Sequence, residues 1–81
     1  MNKILYFSAE WCNPCVTLSP IVEQFKKQVS IDKINIDYDV TLVEKYNIKS
    51  IPTLVLLKDG NEIKRHTGVL NYEQLNKFIN G

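Results

Sequence analysis

Trp11-Cys12-Asn13-Pro14-Cys15 contains both cysteines of the chain, and the residues on either side of it decide the fold. Before it, Ile4 to Ser8 is a short apolar run rich in β-forming residues, the pattern of a strand buried on both faces. After it, Cys15, Leu18, Val22, Phe25 and Val29, with Ile21 between them, recur at intervals of three and four. That spacing predicts a helix over 15–29. Pro20 lies inside the pattern, where its missing N–H and its ring should kink the helix. The cysteine pair therefore sits where a strand passes into a helix.

Downstream, residues 31–37 alternate, with Ile34 and Ile36 on one face and Lys33, Asn35 and Asp37 on the other, as in a second strand. Two strands joined by a helix imply parallel pairing and a right-handed crossover. A short helix is expected over 42–46, with Thr41 and Glu44 as a capping box and Asn47 as its stop. Ser50-Ile51-Pro52-Thr53 breaks the chain, and Leu54 to Leu57 reads as a buried strand. Asp59-Gly60 turns it into a polar strand, Glu62 to Thr67, whose charges suit an exposed sheet edge. A last helix over 72–79 is capped by Asn71 and Gln74 and turns Tyr72, Leu75, Phe78 and Ile79 inward. The order β-α-β-α-β-β-α predicts an α/β domain spanning 1–81, a four-stranded mixed sheet flanked by three helices.

Composition narrows the function. With 81 residues the chain has room for one small domain and no second substrate domain. Its hydrophobic share of 44% and charged share of 23% are ordinary for a globular protein. The net charge of +1 is spread thinly, with Lys26-Lys27 and Lys64-Arg65 as the adjacent basic pairs, which argues against nucleic acid as a partner. No segment approaches the ~18 apolar residues of a membrane span. The apolar run after Lys3 is shorter than the ~7-residue core of a signal peptide, so a cytoplasmic location is expected.

A Cys-x-x-Cys pair at a strand-to-helix junction has a physical logic. The first sulfur, Cys12, lies at a helix N-terminus, where free N–H groups and the helix dipole favour an anion. Thiolates so placed have lowered pKa values, down to about 7 or below in known reductases, and the thiolate is the nucleophile of disulfide exchange. Cys12 would attack, and Cys15, one turn on and more buried, would resolve the mixed disulfide. Pro14 limits the loop between them and withholds a competing N–H. Three other readings stand beside this one. A structural disulfide closing so short a loop gains only about 2 kcal/mol. A zinc site needs two more ligands, and His66 is the one histidine. Two inert buried cysteines would leave Trp11 and Pro14 without a reason.

Ala9-Glu10-Trp11-Cys12-Asn13-Pro14-Cys15 closely resembles the active-site segment of the thioredoxin family. Pro20 matches that family's kink proline, and Lys33-Ile34-Asn35-Ile36-Asp37 looks like its next strand. Tyr46-Asn47-Ile48 and Ser50-Ile51-Pro52-Thr53-Leu54 resemble its third, Lys58-Asp59-Gly60 its hairpin turn, and Gly68 the glycine beside its substrate groove. The resemblance implies a thioredoxin-like fold without the usual opening strand-helix unit. It implies a redox disulfide between Cys12 and Cys15, a cis bond before Pro52 that keeps metal away from the thiols, and an Ile51 backbone that pairs with an extended substrate. Trp11 would cover the site, and Asn13, Pro14 and Gly68 would support it. It further implies a protein-disulfide reductase acting in electron transport and cell redox homeostasis. Such a reductase binds no cofactor and no metal, works as a monomer, and takes its electrons from NADPH through thioredoxin reductase. A glutathione-dependent, glutaredoxin-like reductase is an alternative, which Pro14 directly before the second cysteine argues against. A binding subunit using the same surface without turnover is another.

Four features depart from the family pattern. The opening unit is one. Tyr6 stands where the family has a buried aspartate, and a phenol with a pKa near 10 is a poor base at neutral pH. Lys33 still matches that aspartate's lysine neighbour, so Tyr6 and Lys33 are candidate proton-transfer neighbours of Cys15. Asn13 replaces a glycine. Val16 and Ser8 replace a common lysine and tryptophan. These changes predict a complete attacking half, around Cys12, and an altered resolving half, around Cys15.

Overall fold

Residues 1–81 are described by a computed structural model in which strand β1 (Asn2–Ser8) runs through the middle of the sheet. Around it follow α1 (Asn13–Glu23), β2 (Ser30–Asn35), α2 (Val40–Lys45), β3 (Thr53–Lys58), β4 (Asn61–Thr67) and α3 (Tyr72–Asn80). The sheet order is β2-β1-β3-β4. β1 and β2 are parallel, with Leu5 opposite Asp32 and Phe7 opposite Ile34, while β1–β3 and β3–β4 are antiparallel. The expected element order and mixed four-stranded sheet are those observed.

The apolar run in β1 is explained by its two neighbours. Ile4 and Tyr6 point to one face, where they meet Leu54 and Leu56 of β3, Leu18, Val22, Phe25 and Val29 of the α1 segment, and Leu75 and Ile79 of α3. Leu5 and Phe7 point to the other face and pack with Ile34, Val55 and Leu57 under Leu42, Val43, Tyr46 and Ile48 of the α2 region. A strand covered on both sides must be apolar at every position. Val55 is opposite Leu5 and Leu54 opposite Tyr6, so β3 shares both layers.

The hairpin between β3 and β4 turns on Asp59 and Gly60, both at positive φ (52° and 87°), which is what a two-residue loop matched to strand twist requires. The charged strand β4 is one edge of the sheet. Its Arg65 donates to both Glu62 carboxylate oxygens and to the Tyr46 carbonyl, tying the end of α2 to the sheet.

Three expectations need correction. The α-helix expected over 15–29 ends at Glu23. Beyond it the chain tightens into i→i+3 bonds from Gln24, Phe25, Lys26 and Gln28. Such a turn still returns Phe25 and Val29 to the buried side, so the apolar spacing survives where the α-helix does not. The second helix starts at Val40 rather than 42, because the Asp39 carboxylate, not Thr41, accepts from the Leu42 N–H at 3.3 Å. Tyr72 is 46% exposed, although its ring lies 4.8 Å from that of Phe25. The Asn71–Gln74 capping box forms in both directions, at 2.8 and 3.0 Å. Asn47 ends α2 in the left-handed conformation, at φ 53°.

Two outcomes follow from these contacts. Asp39→Ala should lower unfolding stability by about 1 kcal/mol while Thr41→Ala stays within about 0.5 kcal/mol, as read by urea denaturation. The second concerns Tyr6, which is 1% exposed. Burial raises its phenol pKa above the ordinary 10.0, and the Ser19 hydrogen bond only partly opposes this. A raised folded-state value favours the neutral form. Its stability contribution is therefore complete below about pH 10 and is lost as pH rises through the folded value. Tyr6→Phe should flatten the alkaline fall in stability above about pH 10. An unchanged slope would show that the phenol does not contribute.

Candidate active site

Strand β1 delivers the chain at Ser8 to a turn in which the Cys12 N–H bonds to the Ala9 carbonyl at 3.2 Å. Cys12 then caps α1 with extended backbone angles, φ −91° and ψ 106°. The first helical bond runs from the Val16 N–H to the Cys12 carbonyl at 3.1 Å. Asn13 and Pro14 are the next two positions, and Pro14 has no N–H to leave unpaired there. At the third position the Cys15 N–H points back and donates to the Cys12 sulfur at 3.3 Å. A sulfur thus occupies the place usually taken by a serine or aspartate oxygen.

The two cysteines are joined as a disulfide with Cα atoms 5.2 Å apart. Cys12 is 6% and Cys15 2% exposed, and both pack with Ala9 against Ile36 and Ile51. The Ile51–Pro52 bond is cis. Its loop is pinned from three sides: the Gly68 N–H donates to the Pro52 carbonyl at 2.8 Å, the Thr53 hydroxyl donates to the Ser50 carbonyl at 2.6 Å, and that hydroxyl also meets the Thr67 hydroxyl at 3.0 Å. Gly68 reaches its position at φ 110°, which a side chain would oppose. The backbone N–H and carbonyl of Ile51 make no backbone hydrogen bond within the chain.

Trp11 is 66% exposed and so is not part of the core. Its indole N–H donates to the Asp37 carboxylate at 2.9 Å, so the ring is held while its faces stay open. It borders a shallow apolar pocket of about 130 Å³ with Ile36, Val43, Ile48 and Ile51.

On the inner side of α1, Tyr6 reaches up from β1. Its hydroxyl donates to the Cys15 carbonyl at 2.9 Å and meets the Ser19 hydroxyl at 2.9 Å, and Ser19 donates to the same carbonyl at 2.9 Å. Lys33 lies with its ammonium 5.9 Å from the Tyr6 ring centre. A cleft of about 280 Å³ opens beside Cys15, lined by Ser8, Glu10, Val16, Ser19, Lys33 and Asn35 among others. No three His, Cys, Asp or Glu side chains come together in a group that could hold a metal ion.

The residues singled out from sequence therefore divide into two neighbouring groups. Ile51 packs against Cys12 and Cys15, Trp11, Asn13 and Pro14 adjoin them along the chain, and Pro52 and Gly68 are joined to each other in the loop that carries Ile51, while Tyr6 and Lys33 lie on the other side of Cys15. Sequence reasoning missed Ser19 and Asp37. Ser19 stands four residues after Cys15, on the same helical face, which is a signal that could have placed it next to that carbonyl. Asp37 was read only as the polar side of a strand.

Comparison with known proteins agrees with this geometry. The family model described as Thioredoxin matches residues 2–81. The thioredoxin of Chlamydia pneumoniae is 48% identical over 77 residues, covering 91% of this chain and 76% of that protein. That of Chlamydia caviae is 42% identical over 80 residues, covering 95% and 78%. Among solved structures, a mutant thioredoxin from Halobacterium salinarum NRC-1 superposes with a TM-score of 0.91 at 32% identity, covering 96% of this chain and 71% of that one. The thioredoxin of Fasciola hepatica gives 0.88 at 33%, covering 96% and 77%. By its family model, its relatives and its paired cysteines, the chain belongs to the thioredoxin family of thiol–disulfide oxidoreductases.

Proposed function

We propose that residues 1–81 act as one domain that reduces protein disulfides, with Cys12 as nucleophile and Cys15 as the resolving thiol. The observation that carries this reading is the placement of the Cys12 sulfur. It caps α1, receives the Cys15 N–H, and packs against Ile51 of the cis-proline loop. In the reduced protein the same N–H and the helix dipole favour a Cys12 thiolate. That thiolate attacks one sulfur of a substrate disulfide. The Cys12–sulfur bond forms, the substrate S–S bond breaks, and the other substrate sulfur leaves as a thiolate that takes a proton from solvent. Cys15 then attacks the Cys12 sulfur. The Cys12–Cys15 bond forms, the mixed disulfide breaks, and the second substrate thiol departs. Two electrons have passed from the protein to the substrate.

The open backbone groups of Ile51 supply the docking edge. An extended substrate segment bonding to them would lie along the cis-proline loop, with Gly68 leaving room beside it and Trp11 offering an apolar face. Asn13 and Pro14 keep the loop short, so that the Cys15 sulfur stays within reach of the Cys12 sulfur. Electrons would return from NADPH through thioredoxin reductase. The protein would act as a cytoplasmic monomer in electron transport and redox homeostasis, holding no cofactor or metal of its own. No helix is long and apolar enough to cross a membrane.

Burial raises the phenol pKa of Tyr6, so the side chain behind Cys15 is a poor acceptor for its proton. Water in the cleft is then the acceptor. The resolution rate should therefore rise ten-fold per pH unit up to the ionisation of Cys15 and then level, with a single inflection. A second inflection on the acidic side would reveal another base. For the function itself, Cys15→Ser should accumulate substrate proteins as mixed disulfides on Cys12, and Cys12→Ser should trap none. The wild type should reduce a generic protein disulfide with NADPH and thioredoxin reductase. Reduction with glutathione alone would point to the glutaredoxin-like donor instead. Failure with both donors, together with no trapping, would contradict the enzyme reading.

A further inference from the structure

We propose that the hydroxyls of Tyr6 and Ser19 form a clamp on the Cys15 carbonyl and are positioning residues for the second, resolving half of the exchange; this rests on the dithiol reading above. Three oxygens form a closed triangle: Tyr6 Oη, Ser19 Oγ and the Cys15 carbonyl oxygen, with all three separations at 2.9 Å. The triangle is buried or half-buried and lies directly behind the sulfur-bearing residue.

Counting protons shows how it works. Each hydroxyl has one proton, and a carbonyl has two lone pairs. Two protons serve three contacts, and both hydroxyls donate to the carbonyl in addition to the helical N–H four residues on. Removing one hydroxyl leaves the other still donating to the carbonyl. Removing both leaves the carbonyl with neither donor.

The location gives the clamp its consequence. Pro20 has no N–H for the Val16 carbonyl, so the first turn of α1 is tied less firmly to the rest of the helix. Cys15 belongs to that loosened turn. Its attack on the mixed disulfide needs its sulfur in line with the Cys12–substrate bond, and misplacement by a fraction of an ångström lowers the effective concentration of the attacking group. Tyr6 belongs to the central strand β1, whose neighbours hold it on both sides. The clamp thus transfers the rigidity of the sheet to Cys15. Cys12, at the cap, makes no hydrogen bond with either hydroxyl and is held by the Ala9 carbonyl and the Cys15 N–H. The clamp therefore acts on Cys15 directly and on Cys12 only through the Cys15 N–H.

The proton leaves by the cleft and not through the clamp. Both hydroxyls already donate to the carbonyl. The ionisable groups that border the cleft are Glu10 and Lys33, with Tyr6 behind them. In the step itself the Cys15 proton passes to cleft water, the Cys15–Cys12 bond forms, and the substrate thiolate leaves and is protonated by solvent.

The test separates the two steps by stopped-flow kinetics on Tyr6→Phe, Ser19→Ala and the double variant. The Cys12 attack rate is read as formation of the mixed disulfide with a chromogenic disulfide, and resolution as release of the second thiol. Each single variant should slow resolution about three-fold, and the double variant should slow it by about twenty-fold or more, exceeding the product of the singles because the two hydroxyls back each other up. The attack rate should stay within about two-fold in all three. If the wild type itself forms no mixed disulfide, the dithiol reading fails. If it does, and the folded double variant resolves at the wild-type rate, the clamp is overturned while the dithiol reading stands. An equal slowing of attack and resolution would also overturn it, since a general structural role moves both. Should the double variant not fold, the carbonyl ¹³C shift of Cys15 in the single variants decides. Movement on loss of either hydroxyl supports the clamp, and an unmoved signal contradicts it.

Discussion

The hydrogen bond from the Cys15 N–H to the Cys12 sulfur is the constraint on which the site depends. It exists because a helix begins there, and a helix leaves its first N–H groups without intrahelical partners. Most helices satisfy one of them with an oxygen at the cap. Here the cap atom is a sulfur, so the group that completes the helix is also the group that reacts. Charge on that sulfur improves the cap, and the cap in turn favours the charge. Strand β1 and the parallel strand β2 fix where the helix can start, and the cis-proline loop closes the remaining side.

The two cysteines, three residues apart, live in different surroundings. Cys12 packs against Ile51 and follows the exposed Trp11 in the chain. The Cys15 carbonyl meets a buried phenol and a half-buried serine, and a cleft opens beside the residue. A carboxylate behind Cys15 would place a negative charge near a developing thiolate, whereas a phenol whose ionisation is suppressed by burial places none. This chain places a neutral phenol behind the second cysteine, with Glu10 and Lys33 at the rim of the cleft beside it.

Much of this was legible in the residues. The continuous apolar run of β1, the alternation of β2 and the Asp59-Gly60 turn each reflect a local rule, and together they gave the order of elements. The helix N-terminus at Cys12 followed from where the strand pattern stops and the three-and-four spacing begins. What escaped was set by contact between elements. Tyr6 meets Ser19 only because α1 lies across β1, and no local pattern registers that crossing. The end of α1 was overrun because a tightened turn keeps Phe25 and Val29 on the buried side as well as a helix would. The start of α2 was placed late because two residues could cap it, and the choice of Asp39 over Thr41 depends on how the chain leaves β2. The cis bond at Pro52 came from resemblance alone, since the dipeptide permits either isomer.

The central claim is that the two sulfurs are unequal, Cys12 activated at the helix cap and slightly the more exposed, at 6% against 2% for Cys15. Timed alkylation of the fully reduced protein with substoichiometric iodoacetamide at neutral pH, followed by peptide mass spectrometry, measures this directly. The account predicts that Cys12 is modified at least about ten-fold faster than Cys15, and faster than an unstructured peptide cysteine. Equal modification of the two, or Cys15 ahead of Cys12, would contradict it.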